Sequence, residues 1–225
     1  MGGGGFDSGS VGRHLEDYLL SLLPGDRPRV CFVPTASGDD RRVVTGFFDA
    51  FASRVEATWL PLFERRDADL RALVLEQDAI FVWGGNTANM LAIWRLHGLD
   101  AILREAWTRG IVLAGMSAGA ICWFEAGVTD SYGPELAPLR DGLGLLAGSC
   151  CPHYNGEVQR RPTYRRLVAE GLPGGYALDD AAALVFHDRE LHEVIATAPE
   201  ARAYRVEMGP GGVVERAMPT RYLGA

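Results

Sequence analysis

From Arg29 onward the chain alternates short apolar runs with longer stretches whose apolar positions recur every three to four residues. The runs "RVCFVPT", "VEATWL", "AIFVWGG" and "IVLAG" have the length and composition of strands. Between them, "DDRRVVTGFFDAFASR", a segment near 67–76 and "NTANMLAIWRLHGLDAILREAWTRG" carry the helical period, the last as one or two helices, and a further helix is predicted just after Ser117. Such alternation predicts βαβ units, that is, a parallel sheet with helices on both faces. The C-terminal end of each strand then opens onto a loop, where open α/β sheets bind their ligands.

After about residue 145 the rhythm changes. A short apolar run leads into "GSCCPHYNGE" and the basic helix "VQRRPTYRRLVAEG", and "GYALDD", "AAALVFHD", "LHEVIATA", "ARAYRVEMG" and "GVVERAM" follow in quick succession. Closely spaced runs with Gly and Asp breaks predict an antiparallel meander. The expected class is therefore α/β, a three-layer sandwich with a mostly parallel central sheet and a C-terminal antiparallel meander. With 225 residues, 48% of them hydrophobic, the chain can bury one sizeable core, and residues 1–225 are read as a single domain. The Gly-rich start, "MGGGGFDSGS", is either flexible or turns its backbone toward a site.

Charge and cysteine content narrow the partners. The formal net charge is −7 with acidic and basic residues interspersed, so no phosphate-tracking surface for nucleic acid is expected and a small molecule or peptide is the default partner. No apolar stretch approaches the roughly 18 residues that span a bilayer, and the N-terminus lacks the regions of a signal peptide, so no membrane partner and a cytoplasmic location are expected. The 4 cysteines, Cys31, Cys122, Cys150 and Cys151, form no CxxC, and read as small buried apolar residues rather than a disulfide or zinc framework. Trp94, Trp107 and Trp123 allow a homodimer interface, although tryptophan is more often core.

The candidate chemistry starts at Gly115-Met116-Ser117-Ala118-Gly119, which fits G-x-S-x-G. In that motif a sharp strand-to-helix turn exposes a strained nucleophile, and the glycines are needed because side chains there would clash. The plainer alternative is a capping serine. A serine hydroxyl needs a base, and of the 5 histidines His153 is favoured because it follows Pro152 in a loop after an apolar run, with His187 and His192 as alternatives. The base in turn needs an orienting carboxylate, for which "YALDDAAALVF" supplies Asp179 and Asp180, the latter preferred. The order Ser117, His153, Asp180 places histidine before acid, unlike α/β-hydrolases. "FVWGGNTANML" is a second glycine loop at a strand end. There Asn86 or Thr87 caps the next helix and joins the candidate substrate-binding residues, while Gly85 could present its N–H with that of Ala118 to an oxyanion.

"FVWGGNTANML", "AGMSAGAICWFE", "CPHYNGE" and "ALDDAAALVF", in that order and at those separations, resemble the dipeptidase E and cyanophycinase family of serine peptidases, over nearly all of residues 29–195. The resemblance implies a fold like the class I glutamine amidotransferases and peptide hydrolysis through an acyl-enzyme, with no metal or cofactor. By motif position it makes Ser117 the nucleophile, His153 the general base, and Gly85 with Ala118 the oxyanion donors. The third member, often glutamate in relatives, falls at Asp180, one methylene shorter, with Asp179 and Glu157 as alternatives. Relatives usually carry an apolar strand before the glycine-rich loop that here forms the N-terminus, so that strand is expected to be missing or the start of the chain late. Aspartyl dipeptidases of the family hold the substrate's N-terminal aspartate with a basic residue after the histidine, and "QRRPTYRRLV" offers Arg160, Arg161, Arg165 and Arg166. The spacing does not align cleanly with the aspartyl-specific pattern, so a broader di- or tripeptidase and a cyanophycin-like branched substrate stand beside the Asp preference. Two rival readings are an esterase or amidase using the same serine, and a catalytically inert binding protein of the same fold.

Overall fold

A computed structural model describes residues 1–3, 13–64 and 69–224. The chain divides into two compact units, Glu16–Gly119 and a second made of Met1–Leu15 with Ala120–Ala225. Helix α1 (Arg13–Ser21) crosses the first boundary.

In the Glu16–Gly119 unit, strands β1 (Arg29–Val33), β2 (Glu56–Trp59), β3 (Ala79–Val82) and β4 (Val112–Gly115) form a sheet in the order β2-β1-β3-β4, parallel throughout. Every residue of β3 and all but the first of β1 are buried, as the unbroken apolar runs require of central strands covered on both faces. Helix α2 (Arg41–Phe51) is capped by Asp40, whose carboxylate accepts from the Arg42 N–H at 2.8 Å. Its buried positions, Val44, Phe47 and Phe51, fall on one stripe. There Phe47 stacks on Phe32 of β1 at 4.5 Å and on Phe51 at 5.0 Å between ring centroids. Helix α3 (Leu70–Leu75) is capped by Asp69, within the region expected near 67–76, of which residues 67 and 68 lie outside the described residues.

The long helical stretch after β3 is two helices, α4 (Thr87–His97) and α5 (Leu99–Thr108), divided at Gly98, whose φ of 70° is left-handed. The helix expected after Ser117 is only α6 (Ala118–Ile121), four residues long. It stops because the following carbonyls are taken elsewhere: Cys122 accepts from the Leu143 N–H at 2.8 Å and Trp123 from the Leu146 N–H at 2.9 Å. A backbone so engaged cannot continue the i to i−4 ladder.

The second unit carries β5 (Phe124–Thr129), β6 (Ala137–Leu139), β7 (Leu146–Cys151), helix α7 (Arg160–Ala169), β8 (Gly175–Leu178), β9 (Ala182–His187), β10 (Glu190–Ala196), β11 (Ala203–Gly209), β12 (Gly212–Ala217) and β13 (Arg221–Tyr222). One sheet runs β12-β11-β8-β7-β5-β6, with β5, β7 and β8 parallel and its outer pairs antiparallel. The closely spaced C-terminal runs make the expected antiparallel pairs, shared between this sheet and a second one, β13-β10-β9. Tyr164, Leu167 and Val168 of α7 are buried in one cluster with Cys151, Ala177 and Val206 of the larger sheet.

The fold is thus mixed α/β, with an all-parallel sheet in the first unit and, in the second, mixed sheets whose C-terminal strands pair mainly antiparallel. Among the described residues no helix is long and apolar enough to cross a membrane. Trp94 and Trp123 are buried, and the Trp94 indole donates to Thr35 Oγ1 at 3.2 Å, so these two do not form the exposed dimer face considered from sequence; Trp107 is half-buried. All four cysteines are free and buried, and burial pushes the Cys31 and Cys150 thiols up to about 12. Phe47→Ala is expected to destabilise the Glu16–Gly119 unit by about 3–5 kcal/mol, the usual cost of emptying a fully buried aromatic site. A urea denaturation midpoint equal to wild type would contradict that packing.

Candidate active site

Ser117 stands two residues past the end of β4 with φ of 55°, the left-handed conformation expected of a strained strand-to-helix elbow. Both motif glycines are required by contact. A Cβ on Gly115 would lie 2.1 Å from the Gly119 carbonyl oxygen, and one on Gly119 would lie 2.3 Å from the Val82 carbonyl oxygen of β3. The elbow is fastened by the Met116 N–H donating to Val82 O at 3.1 Å and the Gly119 N–H donating to Met116 O at 2.9 Å.

The second glycine loop, after β3, belongs to the same unit and reaches the elbow. A Cβ on Gly84 would sit 3.1 Å from Ser117 Cβ and 3.6 Å from its Oγ. Gly85 has φ of 135° and leaves no room for a side chain, because its Cβ would meet the Ala36 carbonyl oxygen at 2.2 Å. Asn86 is the N-cap of α4, accepting from the Asn89 N–H at 2.8 Å, and Thr87 is buried as its first residue. This unit therefore holds Ser117, Ala118, Gly85, Asn86 and Thr87.

His153 and Asp180 come together in the other unit. Strands β7 and β8 are parallel, with Cys151 opposite Ala177. Each of the two residues lies two positions beyond the end of its strand, β7 ending at Cys151 and β8 at Leu178. There the His153 Nδ1 and Asp180 Oδ1 are 2.7 Å apart. His153, at φ of 57°, and Ala181, at φ of 64°, are both left-handed. The loop is closed by Tyr154 N–H donating to Leu178 O at 2.9 Å, Glu157 N–H to His153 O at 3.1 Å, and Asp180 N–H to Asn155 Oδ1 at 2.8 Å.

The alternatives left open by the sequence occupy other places. Asp179 is buried and accepts from the Arg202 N–H at 2.9 Å. Burial pushes its carboxyl above the ordinary range, against that hydrogen bond and the Arg161 charge. Glu157 is paired with the buried Arg160 at 2.8 Å. His187 and His192 stack on one another at 4.2 Å on the β9–β10 hairpin.

The arginines of α7 also have partners. Arg160 donates to the Val128 carbonyl at 2.8 Å as well as to Glu157. Arg166 pairs with Glu170 at 2.8 Å. Arg161 and Arg165 both reach Glu215 on β12, whose side chain is only 6% exposed, and which also accepts from the Tyr154 hydroxyl at 2.7 Å. The Arg161 guanidinium lies over the rings of Tyr154 and Tyr204, at 5.4 and 5.1 Å. Glu215 escaped notice in the sequence because "GVVERAM" reads as an ordinary alternating strand; the only signal was an acidic residue amid a run otherwise free of them.

Burial alone would raise the Glu215 carboxyl, but hydrogen bonds from Tyr154 and Arg161, and the Arg161 charge, outweigh it and hold the group below the ordinary glutamate range.

A model of peptidase family S51 matches residues 1–194 of this chain. The chain is 48% identical over 226 residues to the uncharacterized peptidase YgaJ of Bacillus subtilis (strain 168), covering 100% of this chain and 97% of that protein. It is 29% identical over 182 residues to a peptidase E of Citrobacter koseri, covering 72% and 76% respectively. Among solved structures, that of a peptidase from an acI-B1 Actinobacterium superposes with a TM-score of 0.67 at 20% identity, covering 98% of this chain and 92% of that one, a likeness of fold.

Two measurements follow from this geometry. Ser117→Gly is expected to be more stable than Ser117→Ala by about 0.5–1 kcal/mol, because glycine releases a left-handed strain of about 1–2 kcal/mol while returning about 0.4–1 kcal/mol of unfolded-chain entropy. A Ser117→Gly variant less stable than Ser117→Ala would show an unstrained elbow, because only the unfolded-chain entropy term would then separate them. The depressed Glu215 carboxyl contributes stability above its unfolded value near pH 4.3, and this is lost as pH falls through the lower folded value. The stability gap between wild type and Glu215→Gln should therefore be wide at pH 7 and narrow by pH 3; a constant gap in urea midpoints would refute it.

Proposed function

The chain belongs to peptidase family S51, and from that premise we propose that it is a serine peptidase that hydrolyses short peptides through an acyl-enzyme, with Ser117 as nucleophile, His153 as general base and Asp180 as the acid that orients it. The observation that carries this reading is the 2.7 Å contact between His153 Nδ1 and Asp180 Oδ1. A carboxylate on Nδ1 fixes that nitrogen as the donor, so Nε2 becomes the nitrogen that takes and returns protons. The left-handed Ser117 between two obligatory glycines supports the other half of the reading.

In this mechanism Ser117 Oγ attacks the scissile carbonyl as His153 removes its proton. The negative charge that develops on the carbonyl oxygen is held by the N–H groups of Ala118 and Gly85, one from each glycine loop. His153 then gives its proton to the leaving amine, and water, deprotonated by the same imidazole, releases the acid from the serine ester. Asp180 stabilises the imidazolium in both halves without being protonated itself.

For the substrate, a broad preference among di- and tripeptides is better supported than a requirement for N-terminal aspartate. Each of the four arginines of α7 already faces a carboxylate of its own unit: Glu157, Glu215 or Glu170. Recruiting Arg161 to a substrate would leave the buried Glu215 with only the longer contact to Arg165 at 3.4 Å, a costly exchange.

The test compares wild type with Ser117→Ala on Ala-Leu, Asp-Leu and a longer Asp-led peptide, following release of free amine. Wild type should cleave both dipeptides with kcat/KM values within about 10-fold, the span of one modest contact. Ser117→Ala should lose at least about 10³-fold. Full activity in the variant would remove the serine from the mechanism, and failure of wild type to cleave any of these peptides would remove the peptidase reading.

A further inference from the structure

We propose that Gly3 and Gly156 are positioning residues that hold the Asp180 carboxylate from its two sides and thereby keep it on His153; the proposal rests on the reading of that pair as base and orienting acid. The Asp180 side chain is 39% exposed and stands in a turn just past β8, so only local contacts hold it in place. Besides the His153 imidazole, the two surfaces that bound it are backbone, at Gly3 and Gly156. A Cβ on Gly3 would fall 2.1 Å from Asp180 Oδ1 and 2.7 Å from both Nδ1 and Cε1 of His153. A Cβ on Gly156 would fall 2.3 Å from Asp180 Oδ2 and 3.3 Å from its Cγ. One glycine thus bounds the oxygen that meets the imidazole, and the other bounds the second oxygen.

Both glycines are themselves fixed. The Gly3 carbonyl accepts from the Ala181 N–H at 3.1 Å, and the neighbouring Gly2 N–H donates to Ala182 O at 2.9 Å. Gly156 lies between Asn155, whose Oδ1 accepts from the Asp180 N–H at 2.8 Å, and Glu157, whose N–H donates to His153 O at 3.1 Å. Neither has a left-handed φ, so alanine is conformationally acceptable at both positions and what it lacks is space. The carboxylate of an aspartate reaches only two bonds from the backbone. A methyl placed at either glycine cannot be accommodated by a longer side chain folding around it, and it must move the carboxylate, the imidazole or the glycine strand.

The experiment combines activity with a spectroscopic readout that does not need a substrate. In protein with ¹⁵N-labelled histidine, an Nδ1–H held by a carboxylate gives a downfield ring proton, assigned to His153 by its loss in Asp180→Ala. Gly3→Ala and Gly156→Ala are each expected to lose or shift this resonance and to lower kcat/KM on Ala-Leu by about 10- to 100-fold, mainly through kcat, the scale of an ångström-level misplacement. Added to Asp180→Ala, where the carboxylate no longer occupies the space, either glycine substitution should change kcat/KM by less than about 2-fold. Gly46→Ala, a helical position with nothing near its Cβ, should match wild type in both readouts.

Two results would overturn the proposal: retention of both the resonance and the activity in either single glycine variant, or an equal loss in the Asp180→Ala background, which marks a general structural role. If a single variant does not fold, recovery of folding in the Asp180→Ala background supports the proposal and failure there rejects it. Should wild type cleave none of the peptides, the peptidase reading fails while the resonance still decides whether the glycines position the pair.

Discussion

The candidate chemistry of this protein depends on backbone approaching backbone more closely than any side chain permits. At the Ser117 elbow the Gly115 position faces the Gly119 peptide and the Gly119 position faces the Val82 carbonyl, both at distances that a Cβ cannot occupy. Close approach lets the chain leave β4, reverse direction and start α6 within a few residues, so the serine is carried on the outside of the bend. The next strand's loop uses the same device, with Gly85 against the Ala36 carbonyl. Side-chain packing fixes the sheet, but contacts between peptide groups shape its carboxyl edge.

In the other unit the register of two parallel strands plays the corresponding part. Because Cys151 lies opposite Ala177, His153 is level with Asp179, and the acid on the imidazole comes from the residue one further along. Adjacent residues of an extended chain point to opposite sides, and the two aspartates divide accordingly. Asp179 turns inward to the Arg202 amide, while Asp180 turns to His153. Asp180 needs no glutamate-length reach because the left-handed Ala181 and the Gly3 backbone bring the turn up to the ring.

The parts of this arrangement that were legible in the sequence are those that leave a periodic or local mark. The parallel strands of the first unit stand where continuous apolar runs predicted them, and the Asn86 cap and the G-x-S-x-G elbow carry their own residue signatures. What escaped was set by partners distant along the chain. The short α6 ends because Leu143 and Leu146 claim the Cys122 and Trp123 carbonyls, a pairing that no window around Ser117 contains. The basic face of α7 resembled a ligand-binding surface until Glu215, some fifty residues later, was found beneath it. Gly3 could be read either as part of a flexible end or as backbone turned toward a site, because a glycine required for space and one tolerated in a tail have the same side chain: none. The tryptophans could be read either as core or as an interface, since an amphipathic helix pattern alone does not say that Trp94 points at Thr35.

Strain gives an independent indication of where function lies. Among the described residues the non-glycine positions with left-handed φ are Asp39, Ser117, His153, Ala181 and Asp188. Aspartate is among the non-glycine residues that tolerate this conformation best, and the Asp39 carboxylate is held there by the distant Leu62 and Phe63 amides. Serine and alanine gain little from it, each at a cost of order 1–3 kcal/mol, and histidine, though better tolerated there, still lacks the freedom of glycine. Ser117 and His153 are the proposed nucleophile and base, and Ala181 is the turn beside Asp180, whose carboxylate meets His153 within the same unit. The cost falls on the residues of the proposed triad and the turn behind it, as expected if the strain maintains a reactive geometry and is not a defect of packing.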